Sequence, residues 1–287
     1  MLRRLLATLT ASALLLVALG VPAAHASPAW ISPGGEGAYL ALGDSVPFGF
    51  NPLVPIGSDP RRYVGYPEVA APRLELHLTN LACPGQTSAG FLSLSGDDNG
   101  CLPFRAAAPL HTPYTTSQID AALAFLRTHH RTRLVTISLG ANNLLLCRTT
   151  TPDGCTSPVE LTAVLQRVSA DLTTALTAIR SVYHGPLVAL TYYTPYTDPV
   201  SVVSVGALDA VLGQRTRAAG GTVADGFTAF AAASARFGGS PCAAGLLLAL
   251  PTGGCDIHPS AKGAQLLALI LQQAVHPAAA PRQHAGV

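Results

Sequence analysis

From Ala38 to Val275 the chain alternates between two hydrophobic rhythms. Short apolar runs read as buried strands: Ala38 to Leu42, Glu75 to Leu81, Leu134 to Leu139, Leu187 to Tyr192 and Thr222 to Ala224. Between them, apolar residues recur three and four apart, as on one face of a helix. Pro158 to Ser181 carries Leu161, Leu165, Val168, Leu172, Leu176 and Ile179 in this way, and Ser117 to Thr128 carries Ile119, Leu123 and Leu126. Pro67 to Arg73 opens on a proline, which suits a first helical turn. Val205 to Ala219 and Ser260 to Val275 complete the set. Strands alternating with helices predict βαβ units around a parallel sheet, an α/β fold. No repeat, Gly/Ser linker or charged linker interrupts the run, so one domain is expected over residues 38–275.

The ends of the chain read differently. "MLRR", an apolar stretch from Leu5 to Val21 and the small-residue site "AHA" make residues 1–26 an expected signal peptide. Residues 27–37 follow as an N-terminal segment, and residues 276–287 have the composition of a flexible tail. The expected protein is exported and extracellular, without stable membrane insertion once the leader is cleaved. Composition adds that the chain is 49% hydrophobic and 11% charged, enough to bury a large core. Its 17 Lys and Arg balance 15 Asp and Glu without forming a basic run, which argues against a nucleic-acid partner.

The cysteines agree with export. Cys83, Cys101, Cys147, Cys155, Cys242 and Cys255 form three sequence-local couples. Six cysteines allow 15 pairings. Pairing each couple, Cys83–Cys101, Cys147–Cys155 and Cys242–Cys255, is the simplest, because each bridge then closes one surface loop. The C-x-x-C or Cys/His spacings of a zinc site are absent, so no metal is expected.

The candidate chemistry lies where strands stop and before the last helix. "GDS" at Gly43 to Ser45 ends the first strand and offers a hydroxyl, though turns favour the same residues. "CPGQTS" offers Gly85, where a backbone N–H could approach a ligand, and "GANN" offers the amide of Asn142. "DIHPSAKGAQLLA" offers His258 just before the last helix. A serine hydroxyl needs an imidazole to take its proton, and the oxyanion that follows needs preorganised donors. Ser45 N–H, Gly85 N–H and Asn142 are the candidates for that second task.

These four blocks, in this order, resemble the GDSL or SGNH hydrolase superfamily over Tyr39 to about Ala274. The local cysteine couples look like its secreted bacterial lipase and esterase branch. The resemblance implies a flavodoxin-like three-layer α/β/α sandwich and ester hydrolysis through an acyl-serine, without cofactor. Ser45 would be the nucleophile, His258 the base, and Ser45, Gly85 and Asn142 the oxyanion hole. The substrate would be a small-molecule or lipid ester, handled by a monomer. A carbohydrate O-acetyl esterase and a noncatalytic secreted binding module are the rival readings.

Two positions depart from the family pattern. Asn143 stands where the third block has Asp, leaving Asn142 in register. In the last block the Asp expected three residues before the histidine is Cys255, and the nearest carboxylate is Asp256, two before. Either Asp256 or a main-chain carbonyl near Cys255 could orient His258, and the altered offset favours the carbonyl. Asp44 is expected to shape a turn. Ala243 to Leu250, "AAGLLLAL", is either core or the wall of an acyl pocket. The proline- and glycine-bearing stretch Asn51 to Arg62 is expected to flank the "GDS" site.

Overall fold

The computed structural model describes residues 37–276, so the expected signal peptide, nearly all of the N-terminal segment and the tail beyond His276 lie outside the described residues. Five parallel strands form the central sheet: β1 (Gly37–Gly43), β2 (Leu76–Asn80), β3 (Thr132–Ser138), β4 (Leu187–Leu190) and β5 (Thr222–Ala224). Their order is β2-β1-β3-β4-β5, the flavodoxin-like order whose switch point lies between β1 and β3. The three-layer α/β/α sandwich expected from the sequence is the observed architecture.

Helices α2 (Tyr66–Arg73), α9 (Gly226–Ser234) and α10 (Ala261–Val275) pack together in one outer layer. In the other layer α3 (Ser88–Leu92), α5 (Gln118–Thr128), α6 (Ala141–Thr150), α7 (Pro158–Arg180) and α8 (Pro199–Ala218) meet. Local chemistry fixes several starts. The Ser157 side chain accepts from Glu160 N–H and Pro158 follows it, so α7 begins there and lays Val164, Val168, Leu172, Leu176 and Ile179 into the core. Asp198 and Pro199 do the same for α8, six residues ahead of the expected Val205.

Two short helices lie near the carboxyl edge, α1 (Ser45–Phe48) directly after β1 and α4 (Cys101–Ala107). The hairpin β6 (Leu247–Ala249) and β7 (Cys255–Pro259) pairs antiparallel, Ala249 opposite Cys255 and Leu247 opposite Pro259. Ala244, Leu246 and Leu247 are buried in the main core, so "AAGLLLAL" serves as core and as the strand that supports β7. The three expected disulfides are present: Cys83–Cys101, Cys147–Cys155 and Cys242–Cys255.

Among the described residues, no helix is long and apolar enough to cross a membrane.

Candidate active site

The glycine that ends β1 is dictated by its neighbour. Gly43 has φ 129°, and a Cβ there would stand 2.0 Å from the Ser138 carbonyl oxygen on β3. Gln118 from α5 then clamps the strand end, its Oε1 accepting from Gly43 N–H and its Nε2 donating to the Gly43 carbonyl. The chain turns at Asp44, whose carboxylate accepts from Val46 N–H at 3.0 Å and so caps α1. That turn presents Ser45 at the first helical position, beside the β1/β3 switch point. Asn80 and His111 brace α1 from behind by donating to the carbonyls of Pro47 and Phe48.

His258 reaches Ser45 from β7. Its Nε2 lies 2.8 Å from Ser45 Oγ, and its Nδ1 lies 2.5 Å from Asp256 Oδ1. The contacts fit one tautomer, with Nδ1–H donating to the carboxylate and Nε2 accepting the serine proton. Of the two candidates the sequence left open, the carboxylate faces Nδ1, although the altered offset had favoured a main-chain carbonyl. The reason is local: Asp256 Oδ1 also accepts from His258 N–H at 3.0 Å, which folds the side chain back along the imidazole. Burial pushes the Asp256 carboxyl up, but hydrogen bonds from the His258 ring and backbone outweigh it and hold it below the usual range. The edge of Phe50 stands 5.0 Å from the imidazole, centroid to centroid, closing the other side of the ring. Phe50 precedes the stretch Asn51 to Arg62, none of whose residues lines the cavity; Val54 of that stretch packs further back, in a cluster with Phe48, Tyr63 and Phe104.

Asn142 stands in the first turn of α6, which begins just after the end of β3. It is buried and lines the same cavity as Ser45 and His258. Its Nδ2 donates to Asp44 Oδ2 at 3.3 Å. Tyr192, just past β4, donates its hydroxyl to that same oxygen at 2.5 Å, and Tyr192 N–H is held at 2.8 Å by Asp209 on α8. Burial is the main force on Asp44 and pushes its carboxyl up to about 6, against the pull of these hydrogen bonds and of His258. Asp44 is therefore a turn-shaping acceptor, as expected, and also a partner of Asn142. Tyr192 and Asp209 carry no motif that the sequence could have flagged.

Gly85 sits at φ 83°, packed so tightly that a Cβ would meet the Asn99 carbonyl oxygen at 2.5 Å. It does not line the cavity directly. Among the described residues, neither Gly85 N–H nor Ser45 N–H donates to a protein acceptor. Asn143 points elsewhere, exchanging hydrogen bonds with Ser88 at the start of α3.

The cavity beside Ser45 holds about 480 Å³ and runs between α6 and α8, lined largely by apolar side chains including Leu144, Leu145, Tyr193, Val205 and Leu208. The loop closed by Cys147–Cys155 forms part of its wall, and no residue of 243–250 does. Among the described residues no three His, Cys, Asp or Glu side chains cluster as a metal site would require.

The family model for the GDSL-like lipase/acylhydrolase family matches residues 41–266. The chain belongs to that family. Its fold is similar to that of phospholipase A1 from Streptomyces albidoflavus NA297, at 20% identity and a TM-score of 0.54, covering 84% of this chain and 100% of that one. An extracellular lipase from Streptomyces rimosus matches at 21% identity and a TM-score of 0.52, covering 83% and 99%. An acetylxylan esterase from Geobacillus stearothermophilus matches at 16% and 0.52, covering 84% and 95%. No curated protein matches in sequence. Membership in the family makes a carboxylic ester hydrolase the coarse description of this chain.

Proposed function

We propose that this protein is an exported serine esterase or lipase whose preferred acyl chain is longer than acetate. The observation that carries the reading is the continuous contact from the Asp256 carboxylate through His258 to Ser45 Oγ, opening on an apolar cavity. Ser45 Oγ attacks the ester carbonyl while His258 Nε2 takes its proton. The tetrahedral oxyanion is held by Ser45 N–H, Gly85 N–H and Asn142 Nδ2. The intermediate collapses, and the leaving alkoxide takes the proton back from His258. Water then attacks the acyl-serine with His258 again as base, releasing the acid and restoring the Ser45 hydroxyl. Export is supported by the leader-like residues 1–26 together with three disulfides.

The cavity favours a longer acyl chain because it is far larger than an acetyl group and mostly apolar. Burying one more methylene contributes about 0.8 kcal/mol, roughly fourfold in kcat/KM. The test is a series of p-nitrophenyl esters from acetate to decanoate, with acetylated xylan alongside and Ser45→Ala as the control. We expect kcat/KM to climb with chain length until the cavity is filled, and Ser45→Ala to lose activity about a million-fold while folding normally. A preference for acetate with release from acetylated xylan would favour a carbohydrate O-acetyl esterase instead. An absent acyl-enzyme burst with an activated ester would leave a binding protein.

A further inference from the structure

An asparagine can serve an oxyanion only if its nitrogen, and not its oxygen, faces the reacting carbonyl. Two contacts decide this for Asn142. Asn99 Nδ2 donates to Asn142 Oδ1 at 2.8 Å, and Asn142 Nδ2 donates to Asp44 Oδ2 at 3.3 Å. With its amide turned over, Asn142 would set N–H against the Asn99 N–H and oxygen against a carboxylate. The observed orientation leaves the second N–H of Nδ2 unspent.

Asn99 does more than hold one amide. Its backbone N–H donates to the Gly85 carbonyl at 3.1 Å, and its own carbonyl packs against Gly85. Asn99 is itself fixed on both sides. Asp98 accepts from the backbone N–H groups of Gly100, Cys101 and Leu102, and Cys101 is bridged to Cys83, two residues before Gly85. One residue thus touches two of the three groups assigned to the oxyanion.

We propose that Asn99 is a positioning residue of the oxyanion hole, setting the amide of Asn142 and the backbone of Gly85 in one register. The proposal rests on the reading of Asn142 as an oxyanion donor. It predicts that the Asn99 side chain acts on the chemical step through Asn142, without contact with the substrate, while its backbone contact with Gly85 stays in every variant.

The experiment is a double-mutant cycle on the full protein with p-nitrophenyl butyrate. Asn99→Ala removes the clamp and should lower kcat about tenfold with KM within about twofold. Asn99→Asp keeps the shape but offers Asn142 only acceptors, drawing its nitrogen away from Ser45. It should lower kcat about a hundredfold, the scale of a misplacement near 1 Å. In an Asn142→Ala background neither change should cost more than about twofold, because the shared step is already lost. Melting temperatures accompany each variant, and Asn99→Ala carries the test if Asn99→Asp does not fold. Wild-type kcat in both Asn99 variants, or equal losses with and without Asn142, would overturn the proposal alone. A near-normal kcat in Asn142→Ala would overturn the oxyanion reading and this one with it.

Discussion

Asp256→Asn removes one charge from the candidate site and almost no volume. In the structure the carboxylate meets Nδ1 of His258 at 2.5 Å while also holding the His258 backbone N–H. When His258 takes the serine proton it becomes an imidazolium. Two unit charges about 4 Å apart at an effective dielectric of about 20 attract by roughly 4 kcal/mol, or about a thousandfold in rate. The asparagine can also present its amide nitrogen to Nδ1 and favour the wrong tautomer, which in serine triads brings the loss to about ten-thousand-fold. Asp256 keeps 24% of its side chain exposed, so water screens part of the attraction and the lower end of that range applies. We therefore expect kcat to fall by about a thousandfold. The assay is burst and steady-state hydrolysis of p-nitrophenyl butyrate, with circular dichroism and a thermal melt to confirm folding. A loss below about a hundredfold in a folded variant would refute the reasoning and return the orienting role to a backbone carbonyl.

Three further outcomes follow from the same contacts. Asn142→Ala should cost about a hundred- to a thousandfold in kcat, and Asn143→Ala, which loses contacts to Ser88 instead, should cost far less; equal losses would place the oxyanion donor elsewhere. Asp209 is buried with Oδ2 unpartnered, and burial pushes its carboxyl up to about 8, so the folded protein retains a proton that the unfolded chain releases. Stability is therefore lost as pH rises from about 4 toward 8, at up to about 1.4 kcal/mol per unit. Asp209→Asn should melt several degrees above the parent at pH 8.5 and level with it at pH 4, and a gap independent of pH would contradict this. Leu145→Trp, on the cavity wall, should suppress decanoate hydrolysis while sparing acetate; parallel losses on both esters would argue against an acyl chain in that cavity.

The sheet was legible because buried parallel strands are continuous apolar runs, and all five expected strands occur. Their ends were less so. β2 begins at Leu76 because Glu75 sits at φ 56°, a turn conformation that an apolar count cannot register. The first turns of α8 hid behind Val200, Val202 and Val203, which read as strand formers until Asp198 caps them. α6 carries no helical signature in the sequence, because two asparagines and three successive leucines make no apolar stripe at helical spacing. In the site, Ser45, His258 and Asn142 were visible from block order. Asp256 was visible only as one of two candidates for orienting His258, since a two-residue offset says nothing about a side chain that bonds back to its own turn. Asn99 and Tyr192 were invisible for a different reason. Their partners lie 43 and 148 positions away in sequence, and only the folded sheet edge brings them together.

The three disulfides all fall outside the five-stranded sheet, and each braces one working part of its carboxyl edge. Cys83–Cys101 ties the Gly85 turn to Asn99, Cys147–Cys155 holds the cavity wall, and Cys242–Cys255 anchors the strand bearing Asp256 and His258. A bridge over a loop this short stabilises by about 2–3 kcal/mol on the chain-entropy model, and here the bridges, whose sulfurs pack in or against the hydrophobic clusters, pin candidate-site loops onto the core. Reduction would therefore be felt in three places at once, at the Gly85–Asn99 turn, at the cavity wall and at the strand bearing His258, so a single oxidation state governs three loops far apart in sequence.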